Sequence, residues 1–97
     1  MFGCIEFPEE LVRRARAGYY GLVTYLDEKI GRLLEVLKKT DQYQNTLVIY
    51  CSDHGEMNGE HGMWRKSSFY EASVRIPLQI SWPGHLPTGR RVDQVVS

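Results

Sequence analysis

One segment, residues 46–66, constrains the fold more than any other part of the chain. Residues 47–51 are apolar, rich in β-branched and aromatic side chains, and free of charge. This composition predicts a strand that is buried on both faces, as in a parallel sheet. Asp53 and His54 follow at the carboxyl end of that strand, which is where ligands bind in open α/β sheets. A carboxylate beside an imidazole at this edge predicts half of a metal site.

A long amphipathic helix precedes this segment. Apolar residues recur at intervals of three and four between Leu11 and Leu37, which is the helical period. Pro8 and two glutamates mark the start of the helix, and two lysines close its last turn. The pattern predicts a helix over about residues 8–39, roughly 45 Å long at 1.5 Å per residue. Its three tyrosines lie at or near the apolar face and are expected in the core.

The remaining elements predict an α/β domain that is only partly present. A strand is expected over about residues 46–52, a loop carrying the site over 53–72, a second strand over about 76–82 and a tail over 83–97. In the second strand, Leu78, Ile80 and Trp82 alternate with other residues. Two strands and one helix cannot cover both faces of a parallel sheet. The 97 residues are therefore expected to be a piece of a larger α/β domain that, alone, self-associates or stays partly disordered.

Composition limits the classes of partner that are expected for this chain. Twelve Lys and Arg residues balance twelve Asp and Glu residues, so no basic surface for nucleic acid is expected. No apolar segment approaches the ~20 residues of a membrane-spanning helix, so no membrane partner is expected. Cys4 and Cys51 are too few for a disulfide framework. The first ten residues do not have the pattern of a signal peptide, and both a cytoplasmic and a periplasmic location stay open.

Two basic residues of the loop are further candidates. Lys66 lies thirteen positions after Asp53, beyond a loop with three glycines that can fold back. A lysine returned to the metal would bind an anionic oxygen as a point charge, and the alternative is a solvated surface lysine. His61 is either a proton donor or anion contact, or a loop histidine bonded to the backbone.

The other polar and aromatic residues of the loop favour structural roles. Glu56 and Glu60 are either further metal ligands or solvated carboxylates, the commoner case. Trp64 and Phe69 are expected to pack under the loop rather than to line a substrate pocket.

Four separated motifs keep a specific mutual spacing along the chain. They are S-D-H-G at 52–55, G-E-H-G-x-W-x-K at 59–66, S-x-[FY]-E-x-x-x-R-[VI]-P-L at 68–78 and W-P-G at 82–84. Together they closely resemble the C-terminal part of the catalytic domain in type I sulfatases, over roughly residues 11–91. Within that family the chain looks nearest to the choline-sulfatase, iduronate-sulfatase-like and phosphonate-monoesterase branches.

The resemblance implies an alkaline-phosphatase-like α/β fold and one divalent metal, usually calcium, with manganese or magnesium possible. Asp53 and His54 match two ligand positions of that metal. Lys66 matches the lysine that binds the sulfate oxygens and the developing charge of the leaving group. His61 matches a histidine found in some branches. The nucleophile in this family is a formylglycine made from the Cys or Ser of a C-x-P-x-R or S-x-P-x-R motif.

The chain also departs from the family pattern. Neither Cys4 nor Cys51 lies in a formylglycine motif, and the paired aspartates and upstream basic residues of the family are missing. The resemblance therefore implies a parent protein that contains the formylglycine and acts on sulfate esters, and an isolated chain that is inactive. Two alternatives remain: a fragment of a phosphonate or phosphodiester hydrolase with the same fold, and a non-catalytic, self-associating module.

Overall fold

The computed structural model describes residues 6–96. One long helix leads through a turn into a two-stranded sheet whose strands are joined by the site loop and a short helix. In chain order the elements are α1 (Glu9–Lys39), a 3₁₀ turn (Tyr43–Asn45), β1 (Val48–Cys51), a second 3₁₀ turn (Glu60–Gly62), α2 (Glu71–Val74) and β2 (Leu78–Ser81).

Helix α1 contains 31 residues, against the predicted span of about 8–39. It ends in a Schellman motif, in which Gln42 N–H donates to Leu37 O at 2.9 Å and Asp41 N–H donates to Lys38 O at 3.3 Å. Asp41 occupies the left-handed position of this motif with φ 56°. The motif turns the chain back toward β1. In the described part of the chain, no helix has both the length and the hydropathy to cross a membrane.

The apolar stripe of α1 is largely uncovered. None of its residues is fully buried. Tyr19, Tyr20 and Tyr25 are 40%, 61% and 59% exposed, so the prediction that they lie in the core is wrong for this chain. Helical periodicity correctly indicates an apolar face, but within residues 6–96 no element covers most of it.

The two strands pair antiparallel, with Val48 opposite Ser81 and Cys51 opposite Leu78. The prediction of a parallel arrangement is therefore wrong for this pair, because an uncharged apolar run reports burial and carries no information on strand direction. The prediction that the first strand is buried on both faces is also wrong within this chain. Along β1, half-buried residues alternate with exposed ones, and every residue of β2 is exposed.

One face of this sheet is apolar and uncovered. The pairing places Ile49 opposite Ile80 and Cys51 opposite Leu78 on the same face, since alternate residues of a strand share a face. Ile49, Ile80 and Leu78 are 56%, 52% and 49% exposed. We call residues 49, 51, 78 and 80 the open sheet face.

The best-packed part of the structure lies between the site loop and α2. Met57 in the loop is completely buried, and Ser73 in α2 is only 4% exposed. Gly55 N–H donates to Ser73 O at 2.7 Å. A Cβ atom on Gly55 would lie 2.0 Å from the carbonyl oxygen of Ala72, so only glycine fits this approach. This contact fixes the loop directly after Asp53 and His54.

Candidate metal and anion site

Asp53 and His54 present two potential ligand atoms side by side. His54 Nε2 lies 3.5 Å from Asp53 Oδ2. His54 Nδ1 lies 2.7 Å from Gly55 O, and because a carbonyl only accepts, Nδ1 carries the proton and donates. In the neutral imidazole, Nε2 is then free to offer its lone pair. The backbone reinforces this corner, since Ser52 Oγ donates to His54 O at 2.9 Å.

The spacing of these two atoms suits a shared divalent cation. Two ligand atoms that each lie roughly 2.5 Å from one calcium ion at a right angle are roughly 3.5 Å apart. The side chains of Asp53 and His54 are 81% and 36% exposed, so a cation can reach both. No cluster of three or more His, Cys, Asp or Glu side chains suited to a metal occurs within residues 6–96. These residues therefore fit part of a coordination shell.

The pKa of Asp53 lies below the ordinary value of an aspartate. Desolvation, the largest single influence, acts to raise this pKa, but the hydrogen bonds from the backbone N–H groups of Asp53 and His54 and the electrostatic influence of His54 and Lys66 together outweigh it. His54 N–H, for example, donates to Asp53 Oδ1 at 3.0 Å. The carboxylate thus stays ionised, and the charge of Lys66 acts on it.

Lys66 is exposed at the returning end of the loop. The residues on either side of it, Arg65 and Ser67, have φ values of 68° and 82°. This left-handed region is sparsely populated by residues other than glycine. Two such residues flanking Lys66 define a sharp turn that other contacts must hold.

His61 makes a different contact from the other three candidates. Its ring stacks on Tyr70 with the centroids 4.0 Å apart and the planes at 17°. Its backbone is left-handed, with φ 51°. Among the described side chains, no hydrogen bond or ion pair joins His61 to Asp53, His54 or Lys66.

Glu56 has a role that the sequence reasoning missed. Its Oε1 atom accepts hydrogen bonds from the backbone N–H groups of Asn58, at 3.2 Å, and Arg65. It therefore joins the two sides of the loop, and it is not a purely solvated carboxylate. The Asn58–Gly59 pair, typical of a tight turn, was the sequence signal that N–H groups here needed an acceptor.

Trp64 and Phe69 differ in how they pack. Trp64 packs edge-on to Phe7, with centroids 6.3 Å apart and planes at 76°, and it lies against Gly59, as predicted. Phe69 is fully exposed, so its predicted packing under the loop is wrong, and nothing in the described chain covers it. A shallow cavity of about 270 Å³ lies between the start of α1 and Trp64, and none of the candidate site residues lines it.

Comparison with known proteins identifies the family. The sulfatase family model matches residues 4–97. The chain is 49% identical over 82 residues to a choline-sulfatase of Rhizobium meliloti (strain 1021). The matched region covers 84% of this chain and 16% of the relative. It is 39% identical over 77 residues to the iduronate 2-sulfatase of Mus musculus, covering 79% of this chain and 14% of the relative.

The same match appears in three dimensions. A phosphonate monoester hydrolase from Silicibacter pomeroyi superposes with a TM-score of 0.78 at 42% sequence identity, covering 82% of this chain and 16% of that structure.

The long helix, the strand and the loop that follows it are thus those of a hydrolase domain with an alkaline-phosphatase-like α/β fold, as predicted. The chain belongs to the sulfatase family. The resemblance to the choline-sulfatase, iduronate-sulfatase-like and phosphonate-monoesterase branches is confirmed. The chain spans about one sixth of the length of these relatives.

Proposed function

We propose that this chain supplies two metal ligands and one anion-binding lysine to a sulfatase that hydrolyses sulfate esters. The ligands are Asp53 Oδ2 and His54 Nε2, and the lysine is Lys66. Calcium is the proposed cation, and manganese and magnesium are the alternatives. The observation that carries the proposal is the 3.5 Å separation of the two ligand atoms, together with the bond from His54 Nδ1 that leaves Nε2 free.

The chemistry of these residues follows from their charges. When bound, a divalent cation would draw electron density from a sulfate oxygen and favour attack at sulfur. The pKa of Asp53 is lowered, which favours the ionised carboxylate that can hold a cation. Lys66 would bind the remaining anionic oxygens and steady the charge that develops on the leaving group. His61, within the same loop, is proposed only as a proton donor or anion contact.

The nucleophile belongs to the proposal but lies outside these 97 residues. A formylglycine is proposed for the parent protein, since neither cysteine of this chain lies in the motif from which it is made. Sulfate-ester hydrolysis needs the nucleophile, the metal and leaving-group protonation together. We therefore expect the isolated 97-residue chain to turn over no sulfate ester, and turnover of an aryl sulfate by it would contradict this part of the proposal.

Calcium titration of the 97-residue chain tests the metal site. With only two protein ligands, the dissociation constant is expected in the roughly millimolar range. Asp53→Asn and His54→Gln should each weaken binding, because each removes one ligand. The matched control is Asp27→Asn, which removes an exposed carboxylate of α1 far along the chain from the loop. Chemical shifts of the backbone amides of residues 52–56 identify where calcium binds.

Two results of the titration would contradict the proposed metal site. If Asp53→Asn and Asp27→Asn bind calcium equally well, or if calcium moves no amide in the loop, then Asp53 and His54 do not form a cation site. The same protocol with manganese, read through paramagnetic broadening of these amides, checks whether the site accepts a transition metal.

A phosphonate or phosphodiester substrate is the second candidate, and the superposition on a phosphonate monoester hydrolase supports it. The same metal and lysine would bind a phosphonate oxyanion as readily as a sulfate, because both present negatively charged oxygens. Assay of a longer protein that contains this chain, on an aryl sulfate and on an aryl phosphonate, separates the two. The substrate with the larger kcat/KM identifies the activity.

The open sheet face supports a separate proposal, self-association of the free chain. Ile49, Ile80 and Leu78 are each about half exposed, and within residues 6–96 the sheet has two strands whose outer edges are unpaired. A non-catalytic role through such self-association is the alternative to the hydrolase proposals. A tight oligomer that is indifferent to calcium would favour it.

A further inference from the structure

The turn that carries Lys66 needs an anchor. Arg65 and Ser67 both have left-handed backbones, a conformation that is unfavourable for side chains with a Cβ atom. Such a turn persists only where neighbouring groups hold it. The position of the Lys66 ammonium group therefore depends on what fixes the peptide groups on either side of it.

Arg65 is held from both sides of its backbone. Its N–H donates to Glu56 Oε1, and its C=O accepts a hydrogen bond from Met57 N–H at 2.8 Å. Met57 is completely buried, and Ser68 Oγ donates to its Sδ atom at 3.1 Å. The turn is thus tied to the best-packed point of the loop through residues 56 and 57.

The carboxylate of Glu56 links the two sides of the loop by hydrogen bonds. Its Oε1 atom accepts from Asn58 N–H and from Arg65 N–H, which lie on opposite sides of the loop. Hydrogen bonds to an ionised carboxylate are about twice as strong as those between neutral groups. Glu60, in the same loop, also carries a carboxylate. It is exposed whereas Glu56 is half-buried, and its side chain makes no hydrogen bond or ion pair to any residue in the 6–96 range.

We infer that Glu56 is a positioning residue, which sets the place of Lys66 by holding the left-handed turn at Arg65. Glu56 itself touches neither metal nor substrate in this inference. The inference rests on the proposed function of Lys66 as the anion-binding group. It predicts that loss of the Glu56 carboxylate weakens anion binding without removing any group that contacts the anion.

Titration of the 97-residue chain with inorganic sulfate tests the inference. Binding is monitored by the NMR chemical shifts of the Lys66 amide and side chain. Glu56→Ala should raise the apparent dissociation constant for sulfate by about tenfold, the usual effect of losing a charge-assisted hydrogen bond. Glu56→Gln keeps a carbonyl acceptor and should recover part of that loss. Glu60→Ala is the matched control and should bind sulfate as the unmodified chain does. Lys66→Ala defines the loss expected when the anion contact itself is removed.

Hydrogen exchange of the Arg65 amide separates the inference from the proposed function. Glu56→Ala should speed this exchange about tenfold, whereas Glu60→Ala should leave it unchanged. If Lys66→Ala weakens sulfate binding but Glu56→Ala does not, the positioning inference is overturned and the proposed role of Lys66 stands. If Lys66→Ala has no effect on sulfate binding, the proposed role of Lys66 fails, and faster exchange in Glu56→Ala then supports only the anchoring of the turn.

Circular dichroism tests whether Glu56→Ala simply unfolds the chain. The helical signal of α1 should be the same in Glu56→Ala and Glu60→Ala, because neither carboxylate contacts α1 through a hydrogen bond within the described residues. A loss of helix in Glu56→Ala equal to its loss of sulfate binding would mean that the substitution unfolds the chain, and would overturn the inference.

Discussion

Substitution of Gly55 with alanine tests the contact that holds the site loop. The added Cβ atom would lie 2.0 Å from Ala72 O, 2.9 Å from Ala72 C and 3.2 Å from Arg75 O. All three neighbours are backbone atoms, so no side-chain rotation relieves the clash. The loop and α2 must separate by about 1 Å to reach the shortest tolerable contact distance.

Two changes lower the free energy of unfolding. Forcing an extra carbon into a packed contact costs about 1–3 kcal/mol. The separation also stretches the hydrogen bond from Gly55 N–H to Ser73 O, which is 2.7 Å long, and loss of such a bond costs about 0.5–1.5 kcal/mol. We therefore expect Gly55→Ala to lower the free energy of unfolding of the loop region by about 1.5–4.5 kcal/mol.

Urea denaturation measures this loss. The fluorescence of Trp64, in a Trp82→Phe background, reports on the loop because Trp64 lies against Gly59. The matched control is Gly31→Ala in α1, where a Cβ atom meets nothing within 4 Å. That control should stabilise the helix by about 0.5–1 kcal/mol, since alanine loses less backbone entropy than glycine. An unchanged midpoint for Gly55→Ala would show that the loop and α2 do not approach as described.

Three further outcomes are expected. Arg16→Leu removes the hydrogen bond from Arg16 Nε to Asn58 O, 2.9 Å long, and should destabilise the loop by about 1 kcal/mol in the same urea assay; an unchanged midpoint would contradict this. Ile80→Lys places a charge on the open sheet face and should shift the free chain toward monomer in sedimentation velocity, whereas an unchanged oligomer would argue for another interface. The lowered pKa of Asp53 means that its charge interactions stabilise the fold above the ordinary aspartate pKa and are lost as the pH falls through the lowered value. Carbon-13 NMR should show Lys66→Ala raising that pKa, and no change would show that the two charges are far apart.

Much of the local structure follows from the order of residues. The predicted span of about 8–39 agrees with α1 because helix periodicity and end signals depend on neighbours a few positions away. The placement of Asp53 and His54 directly after β1 follows in the same way, from the end of an apolar run. The metal and anion roles of these residues and of Lys66 stay proposals.

The outcomes that differed from the predictions concern contacts between distant segments. Uncharged composition indicated burial for the first strand, but its antiparallel partner is set by how the chain returns after residue 77. Phe69 has a large apolar side chain of the kind usually found in a core. It is nevertheless fully exposed, because no described element lies over it. The bond between Glu56 and Arg65 spans nine positions and depends on the exact path of the loop.

The sequence by itself determined the helix, the strand positions and the motifs that place the chain among sulfatases, because each depends on short-range patterns. The tertiary structure alone decided the strand direction, the close approach of Gly55 to Ala72 and the anchoring of the Lys66 turn by Glu56. These features depend on distances between atoms that the folded backbone brings together, and no local pattern of residues encodes such distances.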